Sequence, residues 1–518
     1  MRYACDVYDA RSLGSSAPSA PPGGSVTGSA PAARPGGVIG VLAFAGIVAA
    51  LTQTLVVPLI GDLPRLLGTT ASNASWVVTA TLLAGAVTTP VAGRLGDLYG
   101  KRRMMLVACG PLLAGSVLCA VSSSVVPMIA GRGLQGMGMG IVPLGISALR
   151  DLLPPERLGT AIALMSSSMG IGGAFGLPLS AAVAEHASWR ALFWGSAGLA
   201  AAITALIWLL IPATPPAARA GGAPRRFDGV GAIGLGSGLV CLLLAVSKGG
   251  DWGWGSGTTL GLFAAAAVAL LAWGWWERRT PAPLVDLRLA ARPQVLLTNA
   301  ASLVVGFAMY AQSLIVPQLL QLPEETGYGL GQSMLAMGLW MAPSGLVMMA
   351  VSPLGARLSA ARGPKFTLCA GSLVIALGYG SSVCLLGSTW TLLVVTCLCT
   401  AGVGLAYGAM PALIMAAVPR SETGSANSFN TLMRSIGTSV SAAVVGVVLA
   451  QMTTEFAGHA LPSEAGFRTG MLIGCGVALA AALIAATIPA RTPDARDGQS
   501  TGEGPAAPPA EEPAAARA

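Results

Sequence analysis

Fourteen runs of about 20 mostly apolar residues dominate this chain, in which only 10% of the residues are charged. A helix of about 20 residues spans the roughly 30 Å of hydrocarbon in a bilayer. Membrane-spanning strands are shorter and alternate in polarity, so runs this long and uniform predict helices. The sequence therefore predicts an all-α membrane protein with fourteen transmembrane helices. The runs lie near residues 38–60, 74–96, 104–123, 126–149, 159–184, 190–212, 229–247, 257–276, 296–318, 330–354, 367–386, 388–417, 424–451 and 468–489.

Lys and Arg are distributed unevenly between the two sets of alternate loops. One set carries seventeen of them and the other carries four. Because positive residues accumulate in cytoplasmic loops, this bias predicts a multi-pass protein of the plasma (inner) membrane with cytoplasmic N- and C-termini. The formal net charge of +8 then follows from topology, and we expect no nucleic-acid partner.

A short charged loop after the second run recurs in degraded form after the tenth. Residues 93–103 contain the complete loop, and Arg357 with Lys365 marks its copy, 263 residues beyond Arg94. The end of the first run, from Gln53 to Pro58, also matches the end of the ninth run at an offset of 259 residues. Two matches in order, at nearly one offset, predict two homologous six-helix bundles that move against each other, with the seventh and eighth runs as an inserted pair.

The segments between and beyond the bundles differ in composition. Both tails and the linker are rich in Pro and Ala, with Ser and Gly added in the N-terminal tail, Gly in the linker and Glu in the C-terminal tail, which predicts disorder or flexibility. The connection after the eighth run alternates apolar and charged residues and is predicted to lie along the cytoplasmic surface. The predicted organisation is a disordered cytoplasmic tail at 1–36, an N-terminal six-helix bundle at 37–212, a cytoplasmic linker at 213–228, two inserted helices at 229–276, an amphipathic connection at 277–295, a C-terminal six-helix bundle at 296–489 and a disordered cytoplasmic tail at 490–518.

The loop after the second run resembles the G-x-L-x-D-x-x-G-[RK]-[RK] pattern of the major facilitator superfamily. It matches this pattern through Gly93, Asp97, Gly100, Lys101 and Arg102. The resemblance implies two six-helix bundles around a central site and transport by alternating access.

Two further segments are similar to the fourteen-span drug/proton antiporter branch of that family. Arg132, Gln135, Gly136 and Gly138 fit an R-x-x-Q-G-x-G pattern, and the stretch from Gly172 through Gly176 to Pro178 resembles a Gly–Pro element. This likeness implies two inserted helices and export of drugs or antibiotics in exchange for protons. One departure concerns the first run, where Thr52 stands at the position at which the branch often carries an Asp implicated in proton coupling.

The loop at 93–103 suits a cytoplasmic gate. Gly93 and Gly100 permit close helix approach and a sharp turn, while Lys101 and Arg102 are predicted to hold the loop at the anionic inner surface. Repeat logic predicts that Asp97 caps the helix of the opposite bundle that begins near residues 421–424. The alternative is that Asp97 pairs with Arg94 or with the basic cluster.

Two arginines, Arg132 and Arg434, fall inside apolar runs, and no Asp or Glu falls in the middle of any run. Because a charge inside the bilayer costs at least about 3 kcal/mol, each guanidinium is expected to find polar partners. We predict Gln53 and Gln135 as partners of Arg132, and Asn427 and Asn430 as partners of Arg434. Each arginine either senses substrate charge or is a structural hydrogen-bond hub. Two arginines without buried acids suggest neutral or anionic solutes.

The other candidate residues follow from polarity or small size within the runs. Packing is an alternative for every one of the pocket candidates. Candidates for the pocket or for coupling are Arg132, Gln135, Gln53, Asp62, Glu185, Gln312, Tyr310, Trp340 and Arg434. The glycines predicted to mediate helix packing are Gly136, Gly138, Gly172 and Gly176. The nine cysteines show no metal-ligand spacing, and we expect no metal site.

The sequence favours a secondary transporter over an enzyme. It contains no G-x-x-x-x-G-K-[ST], H-E-x-x-H or G-x-S-x-G motif, so we predict neither enzymatic activity nor a cofactor. The expected partners are a small-molecule substrate, protons and the lipid bilayer, and we expect a monomer. An importer or facilitator of a specific neutral or anionic solute is one alternative. A non-transporting membrane sensor is another.

Overall fold

A computed structural model describes residues 35–56, 59, 62–213, 227–456 and 459–489. Most of the two predicted tails and of the predicted linker at 213–228 lies outside these residues. The helices are α1 (Pro35–Thr54), α2 (Leu63–Leu66), α3 (Ala71–Tyr99), α4 (Lys101–Val121), α5 (Val125–Met137), α6 (Ile141–Leu152), α7 (Pro155–His186), α8 (Arg190–Leu210), α9 (Gly229–Trp252), α10 (Gly257–Glu277), α11 (Leu287–Ala290), α12 (Pro293–Gln321), α13 (Met334–Arg362), α14 (Pro364–Leu385), α15 (Thr389–Ala417), α16 (Thr423–Gln451) and α17 (Glu464–Thr487). A short hairpin of β1 (Thr453–Phe456) and β2 (His459–Pro462) joins α16 to α17.

Thirteen helices in the described part are long and apolar enough to cross a membrane. The predicted fourth span is instead two shorter helices, α5 and α6, joined by a 3₁₀ turn at Gly138–Gly140. This turn passes closely between its neighbours, since a Cβ on Gly138 would lie 2.8 Å from the Cβ of Leu112 and a Cβ on Gly140 would lie 2.8 Å from the Cβ of Ala92. The length of the apolar run predicts a span here, but it does not predict the 3₁₀ turn that interrupts the α-helix.

Most apolar side chains of each half of the chain cluster with their own half, and Met415 of α15 joins a cluster of the N-terminal helices. Helices α12 to α17 share one large buried cluster, and helices α1 to α8 contribute to two others. We therefore call α1 to α8 the N-bundle and α12 to α17 the C-bundle. The repeated loops also share a backbone conformation, because Gly100 between α3 and α4 and Gly363 between α13 and α14 have φ values of 99° and 86°. Glycine adopts this left-handed conformation without the strain that a Cβ would cause.

Helices α9 and α10 pack on each other, and α9 also lies against both α3 and α16. Through α9, this pair of helices therefore contacts both bundles. In the connection after α10, Leu284 and Val285 are buried in a cluster with Leu235 of α9 and Leu432 of α16. The apolar residues of this segment cover the contact between α3 and α16, while the charged Arg288 is exposed.

The four predicted packing glycines all lie where helices touch, as expected. A Cβ on Gly172 of α7 would lie 2.5 Å from the Cβ of Ala50 and 2.7 Å from the Ile47 carbonyl oxygen of α1. Gly176 likewise packs on Thr54, and Gly136 packs on the Thr81 carbonyl of α3. Small residues let these backbones approach closely, which favours helix association in a bilayer.

Alanine substitutions at two adjacent glycines of α7 are expected to have opposite effects on stability. Gly172→Ala is predicted to destabilise the protein by about 1–3 kcal/mol through overpacking. Gly173→Ala is predicted to stabilise it by about 0.5–1 kcal/mol, because nothing lies within 4 Å of the new Cβ and Ala favours a helix. Thermal unfolding midpoints in detergent measure both effects. Equal midpoints for the two variants would contradict this packing.

Candidate functional site

The carboxylate of Asp97, near the end of α3, bonds the first backbone N–H groups of α16. The Gly424 N–H donates to Oδ1 at 3.0 Å, and the Ser425 N–H donates to Oδ2 at 2.8 Å. Unpaired N–H groups and the positive end of the helix dipole make this position favourable for a carboxylate. The contact between the bundles is the one predicted from the loop, and Asp97 does not pair with Arg94.

Glycines allow this contact by bringing the two backbones together. A Cβ on Gly93 would lie 2.5 Å from the Gly424 carbonyl oxygen, and a Cβ on Gly424 would lie 2.8 Å from the Gly93 carbonyl oxygen. Ser428, one turn further along α16, also lies directly against Gly93. Neither glycine position has room for a side chain, so the seam is closed by backbone contact at this point.

Two arginines of the N-bundle extend the same contact. Arg94 is 1% exposed, and its Nη1 lies 2.8 Å from the Glu422 Oε2. Arg150 of α6 donates from Nη1 to the Thr423 Oγ1 at 2.9 Å and to the Val418 carbonyl at 3.1 Å. Together with Gly93, Asp97 and Gly424, these groups form what we call the basic-end seam, at the end of the molecule that carries Lys101, Arg102 and Arg103.

The basic residues of the loop are placed differently from the prediction that they face the membrane surface. Lys101 is 5% exposed and donates to the Asp151 Oδ2 at 2.6 Å and to the Ser147 carbonyl at 3.1 Å. Arg102 donates to the Trp208 carbonyl of α8. A buried ammonium needs a partner, so the lysine anchors the loop within the N-bundle.

Loss of the Asp97 cap is expected to open the basic-end seam. In a cysteine-free background, Ser428→Cys places a thiol in the seam, where Ser428 is fully buried. We predict that Asp97→Ala raises the rate at which a polar maleimide labels this thiol about fivefold, since a cap is worth on the order of 1 kcal/mol.

The control for this labelling experiment is Asp62→Ala. Asp62 pairs with Arg65 at 3.2 Å on an exposed turn, where its side chain is 48% exposed. This substitution is expected to leave the labelling rate unchanged. An unchanged rate in Asp97→Ala as well would show that the cap does not hold the seam.

Arg132 lies in the middle of the N-bundle, 2% exposed, and organises a hydrogen-bond network there. It donates to the Gln135 Oε1 at 2.8 Å, to the Thr52 carbonyl at 2.9 Å and to the Val77 carbonyl at 3.3 Å. The Gln135 amide donates in turn to the Ser116 Oγ at 2.9 Å. The prediction of Gln135 as a partner is confirmed. The prediction of Gln53 is wrong, because the neighbouring Thr52 carbonyl takes that place.

Replacement of Arg132 by lysine tests whether this network depends on the guanidinium. Arg132→Lys keeps the charge, but an ammonium on a shorter side chain does not reach three acceptors in three directions. We predict a loss of about 2–3 kcal/mol in the free energy of unfolding, measured as a lowered thermal midpoint. Gln53→Ala is the control and is expected to change stability by less than about 0.5 kcal/mol. Equal midpoints for Arg132→Lys and the parent would refute the role of this network.

A narrow cavity of about 10 Å³, about the space of one water molecule, lies between the bundles, bounded by α6 and α7 on one side and by α15 and α16 on the other. Arg434 lines it, with its guanidinium carbon 4.5 Å from the ring centroid of Tyr407. The predicted partners of Arg434 are wrong: Asn430 donates to Asn299 and Ser302, and Asn427 donates to Ser147 and Thr423. An aromatic face attracts a cation through its quadrupole.

The remaining pocket and coupling candidates do not meet at this cavity. Gln312 is buried and donates to the Thr396 carbonyl at 3.3 Å, which joins α12 to α15. Trp340 donates to Gln332 at 3.1 Å and packs edge-on against Trp390. Tyr310 lies half-buried on α12. Asp62 is on an exposed turn, and Glu185 is in the last turn of α7 with its side chain outside the described residues.

Sequence reasoning missed three residues of the seam, Glu422, Arg150 and Ser147. Ser147 Oγ donates to the Thr423 carbonyl at 3.1 Å. Each is a polar residue near the end of an apolar run, on the same side of the membrane as Asp97 by the predicted topology. Their common position at this end of the runs was the available signal. It does not predict which of the polar and charged residues at this end pair with each other.

Comparison with known proteins identifies relatives of the chain. Residues 42–442 match the sequence profile described as Major Facilitator Superfamily. The chain is 30% identical over 439 residues to an uncharacterized MFS-type transporter of Mycobacterium tuberculosis, in a match that covers 82% of this chain and 61% of the relative. It is 30% identical over 448 residues to the probable actinorhodin transporter of Streptomyces coelicolor, covering 82% and 74% of the two chains. It is 28% identical over 392 residues to the multidrug resistance protein Stp of Mycobacterium tuberculosis, covering 75% and 71%.

Solved structures share the fold. The human organic anion transporter MFSD10 superposes with a TM-score of 0.63 at 16% identity, over 87% of this chain and 99% of that chain. The proton:xylose symporter XylE superposes with a TM-score of 0.60 at 13% identity, over 88% and 96%. At these identities the likeness concerns the fold alone. The chain spans about three fifths of the length of the uncharacterized Mycobacterium transporter that it matches.

Proposed function

The chain belongs to the Major Facilitator Superfamily of membrane transporters, and we propose that it exports small amphipathic compounds, such as drugs or antibiotics, by alternating access. The observation that carries this proposal is the basic-end seam, which closes one end of a cavity between two separately packed bundles. The names of the multidrug resistance and actinorhodin relatives, at 28–30% identity, support efflux.

We assign the chain to the fourteen-span drug/proton antiporter branch of the family. In this assignment the interrupted pair α5 and α6 crosses the membrane as one further span, beside the thirteen continuous helices. The predicted division into the N-bundle, the inserted pair α9 and α10, and the C-bundle agrees with the separate apolar clusters. The excess of Lys and Arg at the basic end supports a cytoplasmic location for that end and for both termini in the plasma membrane.

The basic-end seam serves in this proposal as the cytoplasmic gate. Helix-terminus contacts of on the order of 1 kcal/mol bias two nearly equal states without locking either. Rocking of the C-bundle would break the bonds from Asp97 to α16 and expose the cavity to the cytoplasm. Each bundle would keep most of its own apolar cluster during this motion.

Proton exchange is the coupling that we propose, and Asp97 is the carboxylate best placed for it. Protonation of Asp97 would remove the charge that favours the N-terminus of α16 and would weaken the gate. Within the described helices, the other carboxylates also lie near helix ends. None is therefore at mid-membrane, and Asp97 is chosen because it bonds the start of a helix in the opposite bundle.

A facilitator of a specific solute is the second candidate function. Thr52 favours it, because its hydroxyl donates to the Val48 carbonyl within α1 at 2.8 Å, and no acid stands at this position. Uniport through the same cavity requires no titratable group.

Overexpression in a bacterial host that lacks its own efflux pumps tests the export function. We predict a severalfold rise in the inhibitory concentration of at least one amphipathic antibiotic or dye, lost in Asp97→Ala and kept in Asp62→Ala. Everted membrane vesicles that contain this protein should accumulate that compound when a pH gradient is imposed. A proton ionophore should abolish the uptake.

Two results would contradict these proposals separately. Absence of protection across a broad panel, with the protein present in the membrane, would contradict export. Accumulation that is insensitive to the pH gradient would contradict proton exchange and favour the facilitator.

A further inference from the structure

Arg434 stands in the interbundle cavity without a counter-ion. Among the described residues its guanidinium has one close partner, the ring of Tyr407, and no carboxylate lines the cavity. Eleven residues separate Arg434 from the first residue of α16, a rise of about 16 Å at 1.5 Å per residue. This depth is about half of the hydrocarbon thickness, where an uncompensated positive charge is costly. An anion bound in the cavity would offset that cost.

A second unsatisfied group lies on the same face of α16. The Oδ1 of Asn427 is buried without a hydrogen-bond partner, whereas its Nδ2 donates to the Ser147 Oγ and the Thr423 carbonyl. Asn427 precedes Arg434 by seven residues, which places the two on one side of the helix about 10 Å apart along its axis. A buried acceptor without a partner is expensive, so a ligand that donates a hydrogen bond there would be favoured.

Most of the remaining cavity wall is apolar and consists of Val142 and Ile146 of α6, Met165 and Met169 of α7, and Pro411 of α15. Ser166 of α7 and Asn430 and Thr431 of α16 add polar groups to it. Methionine side chains adapt to irregular apolar ligands. Once the bundles part and the cavity widens, this wall would receive a hydrophobic or aromatic body between the arginine and the asparagine.

We propose that the substrate class is an amphipathic organic anion, whose carboxylate or phenolate oxygen binds Arg434 and whose hydroxyl donates to Asn427. This inference rests on the proposed transport function and adds its substrate class. Arg434 is then the residue that selects anions, and a lipophilic cation meets a like charge in the cavity. An anion that leaves a cell with a negative interior moves down the membrane potential, so the potential favours its export with or without proton exchange.

The test measures transport by the full chain in proteoliposomes with matched probes. The first pair is 6-hydroxy-2-naphthoate and 6-hydroxy-2-naphthamide, which have the same ring and hydroxyl and differ in charge, and further aromatic hydroxy acids are paired with their amides. We expect the wild-type protein to transport the anion of a pair at least tenfold faster than the amide. Arg434→Gln is expected to reduce transport of the anion at least tenfold and to leave the amide unchanged. Arg434→Lys is expected to restore part of the preference, and the exposed Arg103→Gln is expected to match the wild type.

Three results would overturn the assignment. One concerns a wild-type protein that protects cells in the export assay: it transports anion and amide at equal rates, or it transports no member of any pair. Another is a wild-type preference for the cation ethidium. The third is an equal fall for both members of a pair in Arg434→Gln, which would indicate a structural role. Because the wild-type preference is measured without any variant, the test stands even where Arg434→Gln fails to fold. Loss of protection in the export assay would instead count against the transport function itself.

Discussion

The bonds from Asp97 to the start of α16 are the contact on which the arrangement of the two bundles at the basic end depends. A helix start leaves N–H groups unpaired, and the residue that precedes α16, Glu422, makes no side-chain cap of its own. The cap is supplied across the seam from the other bundle. Separation of the bundles therefore transfers these N–H groups to water rather than leaving them buried. The free-energy difference between the closed and open seams is then small, as the alternating access proposed for this chain requires.

The contact of α7 with α13 has a different character from the basic-end seam. Gly345 lies against the backbone of Gly170, because a Cβ added to Gly345 would lie 2.5 Å from the Gly170 carbonyl oxygen. Gly338 lies against the backbone of Pro178. Small residues bring these two helices into close backbone contact, and the Met348 side chain of α13 also packs on Gly170. The basic-end seam is held by charged and capping contacts, whereas α7 and α13 meet through closely packed glycines. This pairing suits rocking motion about a central cavity.

Much of the fold and one part of the site could be predicted from sequence. The lengths of the apolar runs predicted the helices. The repeated loop predicted the contact between Asp97 and α16, because a capping carboxylate and a helix start are both visible in local sequence. The partners of Lys101 and Arg434 could not be predicted, since Asp151 and Tyr407 reach them only through the register between helices. Apolar helix faces specify burial but not which residues meet. The buried Leu284 illustrates the same limit, because its short segment is amphipathic enough for a membrane surface or for a seam.

Distances between spin labels across the seam test the central claim, that the bundles part at the basic end when the Asp97 cap is released. Labels at Arg103→Cys and Arg420→Cys, both exposed positions, report the separation of the N-bundle and the C-bundle by double electron–electron resonance in lipid nanodiscs. The account predicts one short distance population in the cysteine-replaced parent protein and a second, longer population when Asp97 is replaced by Ala. An identical single distribution in both proteins would contradict it.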